Sequence, residues 1–163
     1  METIVVGVDG SAGSDAALRW ALAEAKLRGA KLRVVHVYRA PQIPLSEAGL
    51  VAAGGMPIPA PLPENGDRLR RAAETRARNL IHEALKRAES ESFGVEIEQA
   101  PLEGSPAETL IATARAADLL VVGSRGHGGF LGLLLGSVSE QCAHHPPCPV
   151  VILPNPEDGG GAE

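Results

Sequence analysis

The residues best able to do chemistry lie between Gly123 and Ser137, where glycines recur with the spacing Gly-x2-Gly-x9-Gly-Ser. An apolar run at 119–122 precedes this stretch, and a helix-like segment at 137–144 follows it. A glycine-rich loop between a strand and a helix brings free backbone N–H groups and the positive end of a helix dipole together. Glycine also lets a ligand approach the backbone closely. The spacing therefore predicts an anion-binding site.

This loop differs from two common phosphate-binding motifs. No lysine follows Gly136, as a P-loop would require, and Leu131 stands where the third glycine of GxGxxG would be. A nucleotide site here would therefore need a different class of phosphate loop.

Two further groups of residues are candidates for chemistry. Asp9 directly follows the strand-like run 3–8, so its carboxylate either faces a ligand or caps a turn before the first helix. Cys142 and Cys148 flank His144 and His145, but this spacing does not match a zinc knuckle. We expect two free thiols without a metal, since unpaired cysteines are commonly buried.

The overall composition excludes several classes of protein. The net charge is -5 and only 2% of residues are aromatic, so we expect no nucleic-acid partner. Arginines on one face of a predicted helix at 67–89 are better interpreted as a solvated surface. No apolar run approaches the ~20 residues of a membrane span, and the amino terminus lacks a signal-peptide pattern. We expect a soluble, cytoplasmic protein of one domain.

Strand-like and helix-like segments alternate along the chain, which predicts a doubly wound α/β fold with a parallel sheet and helices on both faces. The predicted strands are 3–8, 32–38, 95–100, 119–122 and 149–153, and the predicted helices are 14–28, 67–89, 105–116 and 137–144. Ser14, Ser105 and Ser137 are the expected N-caps, and Gly29 is the expected stop of the first helix. The polar third strand is expected at an edge of the sheet.

Two segments interrupt this alternation. Residues 40–65 hold six prolines and only two charged residues, and this insertion is either a lid or interaction loop or a mobile loop without a defined role. The Gly-rich, acidic tail at 155–163 is expected to be disordered.

The carboxyl ends of parallel strands place the remaining candidates. Ligands of such sheets bind beyond these ends, where the strand order reverses. If the first and fourth strands are neighbours there, Asp9 and Gly123 face one crevice.

With these elements in place, residues 1–154 resemble the universal stress protein family in its ATP-binding branch. The motifs that carry the resemblance are Val6-Gly-Val-Asp-Gly-Ser11, His36-Val37, Val121-Val-Gly-Ser-Arg-Gly126, Leu135-Gly-Ser-Val-Ser139 and Pro147-Cys-Pro-Val-Val151. The resemblance implies a Rossmann-like five-stranded sheet in the order 3-2-1-4-5. It also implies a homodimer formed through the last strand, and leaves room for an unidentified protein partner.

The resemblance also implies roles for individual residues in binding ATP, with Mg²⁺ bridging the phosphates. Gly7 and Asp9 would lie against the ribose, and the backbone of Val37 would read the adenine. The phosphates would be held by Gly123, Ser124, Arg125, Gly126, Ser137 and Val138, with Gly136 allowing close approach. His127 would either add a donor or face solvent.

Two other classes of function stay open. An enzyme of adenylate chemistry would need a Ser-Gly-Gly-x-Asp-Ser or His-x-Gly-His signature, and neither is present. An interaction module that binds no nucleotide would not need the glycines of the loop. Because the loop offers no evident general base with an orienting partner, we expect a nucleotide-dependent regulatory module without catalytic residues, with slow ATP hydrolysis left open.

Overall fold

The computed structural model describes residues 1–40, 63–126 and 134–156. Most of the Pro-rich insertion predicted at 40–65, most of the predicted tail at 155–163, and His127 lie outside these residues. The strands are Thr3–Gly7 (β1), Lys31–Tyr38 (β2), Ile97–Glu103 (β3), Leu119–Gly123 (β4) and Val150–Leu153 (β5). The helices are Ala12–Arg28 (α1), Pro63–Arg87 (α2), Glu89–Ser92 (α3), Pro106–Ala114 (α4) and Ser137–His144 (α5).

The predicted sheet is confirmed. All strand pairs are parallel, and the order is β3-β2-β1-β4-β5. The register pairs Val6 of β1 with Val34 of β2 and with Val121 of β4, so the carboxyl ends of these strands meet at one edge of the sheet. No helix in the described part of the chain is long and apolar enough to cross a membrane.

Both faces of the sheet are covered, which explains why its central strands are apolar throughout. One face packs Ile4 and Val6 against Leu18 and Leu22 of α1 and Ile81 of α2. The other face packs against α4 and α5 through a second cluster. This cluster contains Val5, Val35, Leu110, Leu120 and Cys142. The alternating side chains of each strand thus reach two separate cores.

The third strand lies at an edge, as its polar residues predict. Glu98 accepts from Arg33 Nη2 at 2.6 Å and lies 3.1 Å from Lys31 Nζ, both on the neighbouring strand β2. Charged residues on an edge strand oppose pairing with another chain. The Arg-rich face of α2 also carries ion pairs, between Arg78 and Glu74 and between Arg70 and Glu103.

Two predicted N-caps are wrong, one by three residues and the other by one. Helix α1 begins at Ala12 after an extended Ser11, whose hydroxyl accepts from Ser14 N at 3.2 Å. The predicted cap Ser14 is therefore inside the helix and buried. The N-cap of α5 is Gly136, with φ −82° and ψ 167°, so Ser137 is the first helical residue instead of the cap.

Other element ends agree or shift slightly. Gly29 ends α1 in the left-handed conformation with φ 61°, as predicted. Ser105 occupies the N-cap position of α4, but its side chain makes no capping hydrogen bond. Strand β3 continues to Glu103 because it stays paired with β2, and Pro101 is tolerated because the strand is an edge.

Candidate functional site

A cavity of about 350 Å³ opens at the carboxyl ends of β1, β2 and β4. This is the predicted position, at the point where the chain order in the sheet reverses between β1 and β4. The predicted site residues that line it are Gly7, Asp9, Val37, Gly123, Arg125, Gly126, Gly136, Ser137 and Val138. Of the other two predicted residues, Ser124 does not line the cavity, and His127 is outside the described residues.

The turn after β1 holds Asp9 in place. Asp9 Oδ1 accepts from Ser11 N at 3.0 Å and from Ser11 Oγ at 2.5 Å, and its own N–H donates to Ser14 Oγ at 3.2 Å. This is the turn-capping role that the sequence left open as an alternative. The same carboxylate also lines the cavity, so the two roles coexist.

Asp9 and the loop after β4 are in close proximity. A side chain at Gly126 would collide with Asp9 Oδ2. The loop that follows β1 and the loop that follows β4 therefore meet at this point, as predicted from the strand order.

Gly123 and Gly136, at the two ends of the loop, have different surroundings. A Cβ atom on Gly123 would lie 2.7 Å from the carbonyl carbon of Gly13 and 2.8 Å from its oxygen, so the packing of α1 on β4 requires glycine there. A Cβ atom on Gly136 would come no nearer to its neighbours than 3.4 Å, to Arg125 Cα, which is ordinary van der Waals contact. No described protein atom excludes a side chain at Gly136.

Ser124 is buried and its backbone is engaged within the protein. Its N–H donates to Leu153 O at 2.7 Å, and its carbonyl accepts from Gly136 N at 2.7 Å. The amide of Ser124 is thus committed to the sheet. A phosphate contact through this amide would require that hydrogen bond to break.

Helix α5 directs its amino-terminal end at the cavity. Ser137, Val138 and Ser139 all line it. The first N–H groups of a helix have no intrahelical acceptor, and the helix dipole adds partial positive charge at this end. Together with the half-buried Arg125, this gives the cavity a surface suited to an anion.

An apolar part of the cavity lining was not predicted from the sequence. Val35, Pro106, Leu110 and Val122 form it, from β2, the start of α4 and β4. Pro106 and Leu110 follow β3 in the chain, far from the loop, so only the tertiary fold brings them to the cavity. The available signal was the helix start at Pro106, which had to lie at the carboxyl edge of the sheet.

His36 also lines the cavity, although the sequence predicted no role for its side chain. Its Nδ1 lies 2.7 Å from Val8 O. Because a carbonyl oxygen only accepts, Nδ1 must carry the proton, and Nε2 of the neutral ring is then an acceptor. A histidine between the apolar residues Val35 and Val37, near the carboxyl end of the second strand, was the signal in the sequence.

The described lining of the cavity carries few formal charges, with Asp9 and Arg125 as its acidic and basic members. Among the residues that the structure describes, no group of three or more His, Cys, Asp or Glu side chains could hold a metal ion. Cys142 and Cys148 are free thiols. Burial raises the pKa of the Cys142 thiol, which keeps it neutral at physiological pH.

Comparison with known proteins gives one consistent family. Residues 1–154 match the model of the universal stress protein family. A universal stress protein of Mycolicibacterium smegmatis is 36% identical over 150 residues, which cover 92% of this chain and 47% of that relative. The chain therefore spans about half the length of the curated relative that it matches.

Solved structures agree with this match. A universal stress protein in complex with cAMP is 30% identical, with a TM-score of 0.60, covering 93% of this chain and 95% of that one. A universal stress protein family protein of Arabidopsis thaliana with AMP bound has a TM-score of 0.61 at 20% identity, covering 100% of this chain and 97% of that one.

Proposed function

The chain belongs to the universal stress protein family, and on this premise we propose that it is a regulatory module that binds ATP in the cavity at the carboxyl ends of β1 and β4. The stress response in the cytoplasm is the proposed setting. Relatives support adenine nucleotides as the ligand class, since one solved relative contains cAMP and another contains AMP.

The observation that carries this proposal is the mixed lining of the cavity. Its volume of about 350 Å³ falls in the range of small-molecule sites, roughly 300–1,000 Å³. Part of the lining is apolar, with Val37, Pro106 and Leu110, and suits a purine base. Another part combines glycines with the start of α5 and suits phosphate. A nucleotide has this same division into an apolar base and an anionic end.

Gly136 adds support from the loop itself. Its φ of −82° is open to any residue, and a Cβ atom would lie 3.4 Å from its nearest described neighbour, Arg125 Cα. Neither the backbone conformation nor packing against the described residues therefore explains a glycine at this position. Space for a ligand against the backbone does explain it.

The other predicted site residues that line the cavity have proposed contacts with the nucleotide. Asp9 would accept from the ribose hydroxyls beside Gly7, and the backbone of Val37 would read the adenine edge. Gly126, Ser137, Val138 and Arg125 would hold the phosphates. Gly123 would act indirectly, since its glycine is required by α1. Mg²⁺ bound together with the nucleotide would neutralise part of the phosphate charge.

We propose binding in preference to turnover. Hydrolysis needs a base that orients and deprotonates a water. Among the described lining residues, the Asp9 carboxylate already accepts from Ser11, and His36 Nδ1 is bonded to Val8 O. The Asp9 carboxylate is thus occupied by the protein, whereas the bond to Val8 O leaves His36 Nε2 as an acceptor at the cavity, so slow hydrolysis stays open beside the proposed binding role.

A thermal-shift series with nucleotide-stripped protein tests the function. Saturation at a hundredfold excess over Kd adds about 2.7 kcal/mol to the free energy of unfolding, or about 5–11 °C in Tm for a chain of this size. We expect adenine nucleotides to raise Tm, with ATP above ADP and AMP. Equal shifts for all three would refute a triphosphate-directed loop, and no shift for any of them would refute nucleotide binding.

We also propose a homodimer through the last strand. Pro149 and Leu153 accept from β4 through their carbonyls, from Leu120 N and Ser124 N. The intervening Ile152 therefore directs its N–H and C=O toward the open edge of the sheet. Its side chain packs in part against the core, which leaves the backbone as the exposed element.

The substitution Ile152→Pro removes the outward N–H, and proline is tolerated on an edge strand. We expect a monomer by light scattering, whereas the matched control Ile152→Val should stay dimeric. A folded Ile152→Pro protein that remains dimeric would exclude pairing through this edge.

A further inference from the structure

Two buried serine hydroxyls lie at the base of the two loops that line the cavity. Ser14 belongs to α1 and is 4% exposed, and Ser139 belongs to α5 and is 2% exposed. Both line the cavity, yet neither is among the residues expected to contact a nucleotide. Buried hydroxyls are held by hydrogen bonds, so their partners indicate what they organise.

Ser139 joins the two ends of the glycine loop. Its Oγ lies 2.6 Å from Ser124 O, where the loop leaves β4, and 2.9 Å from Gly136 O, where the loop enters α5. The direct bond from Gly136 N to Ser124 O, at 2.7 Å, closes the same base. One hydroxyl thus ties together residues 15 positions apart in the chain at its Ser124 contact.

Ser14 does the same for the turn that carries Asp9. Its Oγ accepts from Asp9 N at 3.2 Å and donates to Ser11 O at 3.0 Å. Ser11 in turn donates to the Asp9 carboxylate through its N–H and its hydroxyl. The orientation of that carboxylate therefore depends on a hydroxyl of α1 that does not touch it.

We propose that Ser139 and Ser14 are positioning residues with separate tasks, Ser139 for the phosphate end of the nucleotide and Ser14 for the ribose end. This inference rests on the proposed function. A loop that is already fixed loses less conformational entropy when a ligand binds. Each hydroxyl therefore raises affinity only for the part of the ligand that its own loop contacts.

The alanine variants should remain folded. Without the Ser139 hydroxyl, Ser124 O still accepts from Gly136 N, and Gly136 O still accepts from Glu140 N at 2.9 Å. Both carbonyls keep a donor, so no buried acceptor is left unsatisfied. Without the Ser14 hydroxyl, Ser11 O still accepts from Asp15 N at 3.0 Å. The Asp9 N–H loses its bond to Ser14 Oγ, but Asp9 is half-buried beside the cavity, where water can accept instead.

Calorimetry with adenosine, AMP and ATP separates the two tasks. Losing one buried hydrogen bond corresponds to as much as about tenfold in affinity. We expect Ser139→Ala to weaken ATP binding by about tenfold while adenosine binding changes less than about twofold. Ser139→Thr, which keeps a hydroxyl able to bond the carbonyl three residues back, should restore the ratio of the two affinities.

Ser14→Ala has the complementary expected result. It should weaken adenosine and ATP equally, and it should reduce the preference for adenosine over 2′,3′-dideoxyadenosine, because that preference reports the ribose contacts. If Ser139→Ala weakens all ligands equally, or if Ser14→Ala leaves the ribose preference unchanged, the assignment of tasks is wrong.

Hydrogen exchange in the ligand-free protein keeps this test separate from the proposed function. Ser139→Ala should accelerate exchange of the amides at 124–126 and at Gly136, without accelerating those of Leu32 and Val34 in the sheet core. If the wild type binds no nucleotide, the proposed function and the assigned tasks both fail, while the exchange rates still decide whether Ser139 fixes the loop. Unchanged exchange would overturn that claim.

Discussion

Replacing Gly123 and Gly136 with alanine, one at a time, should affect different properties: Gly123→Ala should lower stability, and Gly136→Ala should lower nucleotide affinity. At Gly123 the added methyl would lie 2.7 Å from Gly13 C, 2.8 Å from Gly13 O and 3.1 Å from Ser14 N. These are backbone atoms of α1, so the helix and β4 must move apart. Such overpacking costs about 1–3 kcal/mol, which corresponds to a fall of about 2–12 °C in Tm for a chain of this size.

At Gly136 the same methyl would make ordinary contacts with its nearest described neighbours, at 3.4 Å from Arg125 Cα and 3.5 Å from Ser124 O. Alanine restricts the unfolded chain, which stabilises by about 0.4–1 kcal/mol, and this opposes its poorer performance as an N-cap. We expect the free energy of unfolding to change by less than about 0.5 kcal/mol. The methyl would instead occupy the phosphate side of the cavity and reduce nucleotide affinity between about fivefold and a hundredfold.

Urea denaturation and isothermal calorimetry on both variants measure the two quantities. Stability should fall for Gly123→Ala and hold for Gly136→Ala, whereas affinity should fall for Gly136→Ala even though its stability is unchanged. If Gly136→Ala is destabilised as much as Gly123→Ala, or binds nucleotide like the wild type, the argument that cavity space explains this glycine is refuted.

Three other changes have defined outcomes. Gly126→Ala should displace the Asp9 carboxylate, the flexible end of a side chain, and so weaken nucleotide binding by calorimetry with little change in Tm; unchanged affinity would separate Asp9 from the ligand. Side-chain hydrogen bonds from Arg33 and Lys31 of β2 hold the pKa of Glu98 below its usual value. The stabilisation that they give is present above the ordinary glutamate pKa of about 4.3 and is lost as pH falls through the lowered value. Wild type should therefore lose more stability than Glu98→Gln on acidification in urea titrations, by less than about 1 kcal/mol since the pair is partly exposed, and equal losses would contradict this. Burial raises the pKa of the thiols of Cys142 and Cys148, so a thiol reagent at neutral pH should label the native protein slowly. Cys142 should react more slowly than the half-buried Cys148, and both should react quickly in urea. Rapid labelling of Cys142 in the native protein would contradict its burial.

The parallel sheet and the place of the cavity at its carboxyl edge were predictable because they depend on local patterns and general rules, whereas the strand order was implied by the family resemblance. Apolar runs identify buried parallel strands, and ligands of such sheets bind where the strand order reverses. The glycines and Asp9 follow the strands directly, so their position at the carboxyl edge needed no knowledge of distant contacts.

Other features were not predictable for physical reasons. Ser11 and Ser14 are both good N-cap residues, and only the backbone decides which one is extended and which is helical. The apolar part of the cavity lining depends on Pro106 and Leu110, whose distance from the loop is set by how α4 packs on the sheet. The two types of glycine in the loop look identical in sequence, since only the neighbouring atoms of Gly13 distinguish Gly123 from Gly136.

Calorimetric titration of nucleotide-stripped wild-type protein with Mg-ATP is the decisive test of nucleotide binding. We expect saturable binding of one nucleotide per chain, which is competed by AMP and weakened by Gly136→Ala in a protein of unchanged stability. The absence of binding by a folded protein, or binding that Gly136→Ala leaves unaffected, would contradict a nucleotide site at the carboxyl ends of β1 and β4.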